Sequence, residues 1–367
     1  MLYKLKDIFD LQMGKTPSRN NIEYWNTNDY KWVSIADLTK TDKYIYDTKE
    51  YLSKKAVNES GIKIIPANTV IMSFKLSIGK TAITAEDMYS NEAIMAFHDK
   101  HIVEILPEYI FYLFKYKNWD DGSNKAVMGK TLNKAILSEV EIDICSIEEQ
   151  RKIVNVLDKI MNLISARKKE LSYLDTFTKA RFVEMFGDMT LARNDWEKLL
   201  LCDVCDVRDG THDSPKYFTE GYPLITSKNV SGGKIDFSDC NLICEEDYNK
   251  INQRSKVDVG DILMPMIGTV GKPVIVDSQK KFAIKNVALI KFRENSAVVN
   301  SFIKVLLESD YFDREVINKV RGGTQKFISL GDIRKLNFCL PPIKLQNQFA
   351  AFVNEIDKSK LQKFSAA

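Results

Sequence analysis

The segment 147–186, IEEQRKIVNVLDKIMNLISARKKELSYLDTFTKARFVEMF, runs for forty residues without a glycine or a proline. At a rise of ~1.5 Å per residue, a continuous helix over this stretch extends about 60 Å, more than one compact domain needs. It reads as a spacer. Leu157, Ile160, Ile164, Leu171, Leu174 and Met185 recur on steps of three and four, an apolar seam that asks for a second helix alongside. The partner is in the same chain. A shift of 196 places Ile147 on Ile343, Gln150 on Gln346, Ile153 on Phe349, Leu157 on Val353 and Ile160 on Ile356.

The repeat extends beyond the helix. The same shift puts Leu5, Asp7, Asp10 and Gly14 on Leu201, Asp203, Asp206 and Gly210, so a whole unit recurs. In the first copy a polar loop, GKTPSRNNIEYWNTNDYKW, follows residue 13, and β-rich runs are predicted at 32–38, 62–65, 69–74, 91–97 and 140–144, with a helix at 108–116. In the second copy the loop RDGTHDSPKYFTEGYP answers the first, and 224–230, 262–271, 286–292 and 301–307 answer the later elements at shifts of 192 to 195. The loop residues themselves hardly agree. One scaffold presenting two different surfaces suits a protein that reads two unlike targets, whereas a tandem enzyme would need its reactive residues twice.

Composition narrows the function classes. Lys plus Arg total 53 against 50 for Asp plus Glu, so a nucleic-acid role has to rest on cations placed in loops and not on net charge. No run of 18 apolar residues occurs and the N-terminus lacks the pattern of a secretory signal, so a cytoplasmic chain is expected. Six cysteines without a framework common to both copies fit reduced thiols.

In this layout the chain resembles the specificity subunits of type I DNA restriction-modification systems over its whole length. The resemblance is carried by the two-copy organisation, by Leu5-Lys6-Asp7-Ile8-Phe9, by the loop Gly14-Lys15-Thr16-Pro17-Ser18 and by Met185-Phe186-Gly187-Asp188. It is carried too by the two domain-to-helix junctions, Ile147-Glu148-Glu149-Gln150 with Ile153 and Leu340-Pro341-Pro342-Ile343-Lys344-Leu345-Gln346 with Phe349. It implies an α+β protein with two homologous α/β target-recognition domains, 1–146 and 190–342. They are separated by two long antiparallel coiled-coil helices, the central 147–189 and the C-terminal 343–367, the latter about twenty residues shorter. It implies a non-catalytic DNA-recognition subunit reading a bipartite double-stranded target, one domain per half-site. Methyltransferase subunits would dock on the helices, restriction subunits would join through them, and S-adenosylmethionine and ATP would be bound by those partners. The alternative is a coiled-coil adaptor whose paired domains bind ligands other than DNA.

Two departures matter. Cys145-Ser146 stands where a Pro-rich turn is usual, and Ile164 maps to Lys360, so the counterparts of Leu171 and Leu174 fall beyond Ala367. Pairing is therefore expected to be incomplete over the distal half of the first helix, leaving Leu171, Leu174 and Phe177 for a partner. The seam is assigned to Ile153, Leu157, Ile160, Ile164, Leu171, Leu174, Phe349, Val353 and Ile356.

Other chemistry finds little support. Gly14-Lys15-Thr16 and Gly129-Lys130-Thr131 lack the glycine five residues earlier that a phosphate loop needs, since positions 9 and 124 are Phe and Asn. Cys202, Cys205, Cys240 and Cys244 have tolerable zinc spacing, but the first copy has no equivalent set, and buried thiols are the simpler reading. No metal site and no catalytic residue is assigned. Pro341-Pro342 is followed by Ile and not by an aromatic that could stack on a flipped adenine. The remaining candidates are polar loop residues suited to phosphates and base edges. In the first copy these are Lys15, Thr16, Ser18, Arg19, Lys75, Lys80, Lys130 and Thr131. In the second they are Arg208, Thr211, His212, Lys216, Lys228, Asn229, Lys272, Arg321, Thr324, Gln325 and Lys326. Arg321-Gly322-Gly323-Thr324-Gln325-Lys326 is the strongest run, because two glycines admit close backbone approach while Arg and Gln can bond a base bidentately.

Overall fold

The computed structural model describes every residue except 26, 76, 120–131, 190–195, 232, 267–271, 320–326 and 366–367, and the side chains of 231, 319 and 361–365 are likewise outside the described set. The chain forms two compact units, Met1–Ala166 and Arg167–Ala367. Each is built on the same plan.

In the first unit the larger sheet runs in the order Phe9–Met13, Ile94–Asp99, Val70–Ser73, Thr81–Thr84 and Tyr44–Ile45. A smaller sheet sets Tyr30–Val33 between Glu50–Leu52 and Tyr89–Ser90. In the second unit the larger sheet is Asp206–Asp209, Val287–Lys291, Ile262–Pro265 and Val274–Ile275, and the smaller sets Tyr222–Ile225 between Asn241–Ile243 and Ala283–Ile284. The strands Val70–Ser73 and Ile262–Pro265 are buried at every position, as unbroken apolar runs flanked by strands on both sides should be. A short antiparallel pair, Leu2–Lys4 with Glu141–Asp143 and Lys198–Leu200 with Asn337–Cys339, ties the start of each domain to its end.

Helices cover these sheets. Pro107–Tyr116 begins at its proline, which has no N–H to leave unpaired, and buries Tyr109, Ile110, Phe111, Tyr112 and Phe114. Asn300–Leu307 does the same in the second unit through Phe302, Ile303, Val305, Leu306 and Leu307.

Two of the expected strands are different structures. Residues 32–38 divide into the strand Tyr30–Val33 and the helix Ile35–Lys40, because Ser34 and Asp37 form a reciprocal capping box that starts a helix there. In the second copy Tyr222–Ile225 ends in the same way, with Thr226 and Asn229 as the box before a short 3₁₀ turn, Ser227–Asn229. Of 62–65, only Ile65 pairs, in an isolated bridge to Met88.

The forty-residue helix is present as read, Ile147–Phe186. A capping box starts it, Ser146 donating to Glu149 and accepting its backbone N–H at 3.3 Å, so the Cys145-Ser146 departure is a different N-terminal solution and not a lost turn. Gln150 is fully buried; its amide donates to the carbonyls of Glu104 and Cys145 at 2.9 and 3.0 Å and accepts the Leu106 N–H at 2.9 Å. Gln346 repeats every bond, donating to Ala297 and Pro341 at 3.0 and 2.8 Å and accepting from Val299 at 2.9 Å. Each glutamine fastens the helix start to the segment that opens the sheet-covering helix of its domain, Pro107–Tyr116 in one copy and Asn300–Leu307 in the other.

The C-terminal helix, Ile343–Ser365, runs antiparallel to the distal half of the first. Phe349 lies 5.3 Å from Phe186 and 5.5 Å from Phe182, Phe352 lies 5.3 Å from Phe177, and Lys360 pairs with Asp175 at 2.7 Å. Phe349 and Val353 are buried and Ile356 is half-buried. The expectation of open side chains in the distal half fails for Leu171 and Leu174. An antiparallel helix that starts beside Phe186 lies along that half, so Leu171 and Leu174 are half-buried, while Phe177 meets Phe352 and is still 53% exposed. The proximal half is left instead. There Leu157 turns onto the first domain's core with Val154 and Met161, and Asp158 pairs with Lys43 at 2.6 Å, while Ile153, Val156, Ile160, Leu163 and Ile164 remain exposed.

Replacing Gln346 by Ala would leave two carbonyls and one N–H without their partner, and unsatisfied buried groups cost about 1–3 kcal/mol each. Urea denaturation of Gln346→Ala should show a loss of about 3 kcal/mol or more. A loss below about 1 kcal/mol would mean that water replaces the amide without penalty.

Candidate nucleic-acid interface

Strand pairing brings the polar loops to one end of each large sheet. In the first domain Met13 lies opposite Met95, and Ser73 lies opposite Ile94. The exits of Phe9–Met13 and Val70–Ser73 therefore meet the linker 91–93 that precedes Ile94–Asp99, and Phe74 donates its N–H to Ala93 at 3.0 Å. The polar loop is sewn to this linker by the Gly14 and Lys15 N–H groups, which bond Ile94 and Ser90 at 3.0 and 2.8 Å. Gly14 sits so close that a Cβ would overlap the Asn91 carbonyl. Gly210 occupies the same place against Ile284, with Gly210 and Thr211 bonding Val287 and Ile284 at 3.1 and 3.0 Å. Only a residue without a side chain fits.

The loop of the first domain is stapled from within. The Arg19 guanidinium lies 3.8 Å from the ring centre of Trp25 and 4.8 Å from that of Trp32, and bonds both oxygens of Glu50 at 2.5 and 3.1 Å. The indoles donate to Ser18 and Lys15 carbonyls at 3.0 and 3.1 Å. Arg19 thus serves the loop's shape, because its planar fork is already engaged. Ser18 and Lys15 are exposed, the Lys15 ammonium reaching the Ser60 carbonyl at 2.5 Å. Thr16 donates its hydroxyl to Glu92. Burial raises the Glu92 carboxyl, but Thr16, its own backbone N–H, Lys75 and Arg19 outweigh this and hold it below the usual carboxylate range. Lys80 lies apart from this group, bonded to Thr39 at 2.6 Å.

In the second domain, Arg208 is engaged by Asp206 at 2.8 and 2.5 Å and by the Arg254 carbonyl at 2.8 Å; the guanidinium in turn holds Asp206 below the usual range. His212 bridges Asp209 and Asn286, each at 2.8 Å. Asp209 is buried and also pairs with Arg254. Thr211 accepts the Asp213 N–H at 3.1 Å, Lys216 and Lys272 are exposed, and Lys228 stands 3.4 Å from Asp239. A cleft of about 210 Å³ opens between the loop start and the helix Glu245–Ser255, lined in part by Thr211, Ser214, Lys250 and Arg254.

Asn229 is corrected. It is 3% exposed, accepts from Thr226 and donates to the Asp236 and Asp239 carbonyls at 3.3 and 2.8 Å, so it closes a turn and has no amide left for DNA. Lys130, Thr131, Arg321, Thr324, Gln325 and Lys326 lie outside the described residues. Their flanks are anchored alike, Leu132 to Phe74 at 3.1 Å and Ile328 to Met266 at 3.0 Å, at the end of the sheet that carries the polar loops. Sequence reasoning missed Glu92, Asn286, Asp209 and Arg254. Glu92 and Asn286 sit at the head of runs read as strands, and a polar side chain just before the apolar stretch was their only signal. Among the described residues no group of three or more His, Cys, Asp or Glu is placed to hold a metal ion, and burial pushes the Cys205 thiol up to about 12.

Known proteins share this organisation. A family model for the type I restriction modification DNA specificity domain matches twice, at residues 1–173 and 193–364. The MjaIX specificity subunit of a type I restriction enzyme from Methanocaldococcus jannaschii is 28% identical over 96% of this chain and 85% of its own length. The EcoR124I/EcoR124II specificity subunit from Escherichia coli is 27% identical over 42% of this chain and 39% of its own. The solved S subunit of a type I restriction-modification system from M. genitalium aligns over all of this chain and 91% of its own with a TM-score of 0.51 at 14% identity. A chain from a study of complex assembly in a type I restriction-modification system aligns over all of this chain and 92% of its own at 0.54 and 16%. At such identities the two structures speak for the fold.

Arg19→Ala removes the indole contacts and both Glu50 bonds and should destabilise the first domain by about 1–2 kcal/mol. Tryptophan fluorescence should become more open to acrylamide quenching, with Arg19→Lys restoring little because an ammonium cannot stack and bond bidentately at once. Unchanged quenching in Arg19→Ala would show that the loop holds its shape without the staple.

Proposed function

The chain belongs to the family of type I restriction-modification DNA specificity proteins, and on that premise we propose that it reads a split double-stranded target, one domain to each half-site, while methyltransferase subunits dock on its helices. The observation that carries this reading is the pair of like scaffolds whose loops gather at the same sheet end with unlike side chains. Thr16 beside Glu92 in one copy answers His212 beside Asn286 in the other. A pair of generic ligand domains on a coiled-coil adaptor has no need of that division, and family membership disfavours it.

The exposed aliphatic stripe supports the docking part. Ile153, Val156, Ile160, Leu163 and Ile164 line the proximal half of the long helix at 41 to 56% exposure, a cluster of apolar side chains that a monomer seldom leaves in water. We assign it to a methyltransferase subunit. Restriction subunits would join through that subunit, and S-adenosylmethionine and ATP would be bound by those partners, with this chain residing where the DNA is, in the cytoplasm. No helix among the described residues is long and apolar enough to cross a membrane.

Co-expression with a methyltransferase subunit from the same source, followed by single-molecule mapping of methylated adenines, should give one split, asymmetric motif. Co-purification without any methylated motif would refute the reader role. Val156→Glu with Leu163→Glu should abolish co-purification while shifting unfolding by no more than about 0.5 kcal/mol, because both side chains are already exposed. Retained co-purification would move the docking surface elsewhere.

A further inference from the structure

The contacts that repeat between the copies fall into two kinds. Those that hold the scaffold keep their chemistry: Gln150 and Gln346 make the same three bonds, Gly14 and Gly210 make the same close approach, and Ser34–Asp37 and Thr226–Asn229 make the same capping box. One contact keeps its place and changes its chemistry. The residue two positions after the loop glycine bonds the residue two positions after the small-sheet strand, which is Thr16 to Glu92 in the first domain and His212 to Asn286 in the second. Both pairs lie on the seam between polar loop and linker, at the end of the large sheet, and neither is needed for the core: Glu92 is exposed, and Asn286 is half-buried.

A carboxylate at this point is informative. It accepts hydrogen bonds and donates none, and phosphate repels it, so on a DNA-facing surface it can gain only from a base that offers an amino hydrogen. In the major groove those bases are cytosine, through N4, and adenine, through N6. Thr16 donates to Glu92 and leaves the carboxylate further lone pairs. Asn286 is tied by one amide atom to His212, which the buried Asp209 holds from its other nitrogen. Its second amide atom meets no hydrogen-bond partner among the described residues. It can face a base edge from a side chain that two neighbours have already oriented, which reduces the ordering cost of the contact.

We propose that Glu92 and Asn286 are specificity-determining residues at equivalent points of the two domains, Glu92 selecting a cytosine or adenine amino group in one half-site and Asn286 a different base in the other. This rests on the reader function proposed above and names the side chains through which it acts. His212 and Thr16 are positioning residues for the pair.

The test uses the full chain with its methyltransferase partner and compares the methylated motif of wild type, Glu92→Gln and Asn286→Asp. Glu92→Gln should relax or change one base of one half-site, with discrimination there falling roughly tenfold or more. Asn286→Asp should do so at one base of the other half. The untouched half is the internal control for folding and assembly in each variant. Thr16→Val should weaken the first half-site's discrimination less than Glu92→Gln and at the same base, the signature of positioning. Unchanged motifs and rates in both variants would overturn the assignment while leaving the reader function standing. So would an equal loss over all sequences, which marks a general effect on DNA binding. A wild-type complex that methylates no motif would overturn the reader function itself, and this assignment with it.

Discussion

A buried glutamine amide decides how each long helix leaves its domain. Gln150 and Gln346 each take up two carbonyls and one N–H in a place closed to solvent, where an unsatisfied group would cost about 1–3 kcal/mol. No apolar residue can substitute, and a charged one would face desolvation as well. The amide therefore fixes the first turn of the helix against the segment that begins the domain's sheet-covering helix, Pro107–Tyr116 or Asn300–Leu307, and with it the direction of the turns that follow. That the two copies retain the same bonds, although one enters the helix through Cys145-Ser146 and the other through Pro341-Pro342, shows that the clamp and not the turn sequence sets the geometry.

Antiparallel pairing determines what the C-terminal helix covers: it begins beside Phe186 and runs back to Lys360 beside Asp175, so its contacts fall on the distal half of the long helix. The phenyl groups of Phe182, Phe186 and Phe349 join the core cluster of the second unit, and a fully buried aliphatic or phenyl side chain stabilises by ~1.5–3 kcal/mol. Their joint burial fixes the start of the C-terminal helix beside the end of the first. The proximal half is consequently held on one face by its own domain through Val154, Leu157 and Met161 and open on the other.

The sequence was most legible where one periodicity dominates. The boundaries of Ile147–Phe186, the helix at Pro107 and the central strands follow from the absence of breakers and from unbroken apolar runs. Legibility failed where side chains compete with the backbone: Ser34–Asp37 converts an alternating pattern into a helix start, and Asn229, a good donor and acceptor on paper, is consumed by its own turn. Of the loop cations, Arg19 and Arg208 were read as free to meet DNA, yet each has a carboxylate partner that lies more than thirty residues away in one case and two residues away in the other. Position in a loop says little about whether a guanidinium is free. Glu92 and Asn286 were hidden for the opposite reason, since only strand register brings the linker beside the loop.

Two copies of one scaffold that read two unlike half-sites independently should be separable by exchange. With residues 190–342 replaced by the corresponding segment of a relative with a different target, the methylated motif of the hybrid complex should change to the donor's in one half, while the other half and the spacing between them stay as they were. A motif altered in both halves, or one that keeps both, would contradict independent reading.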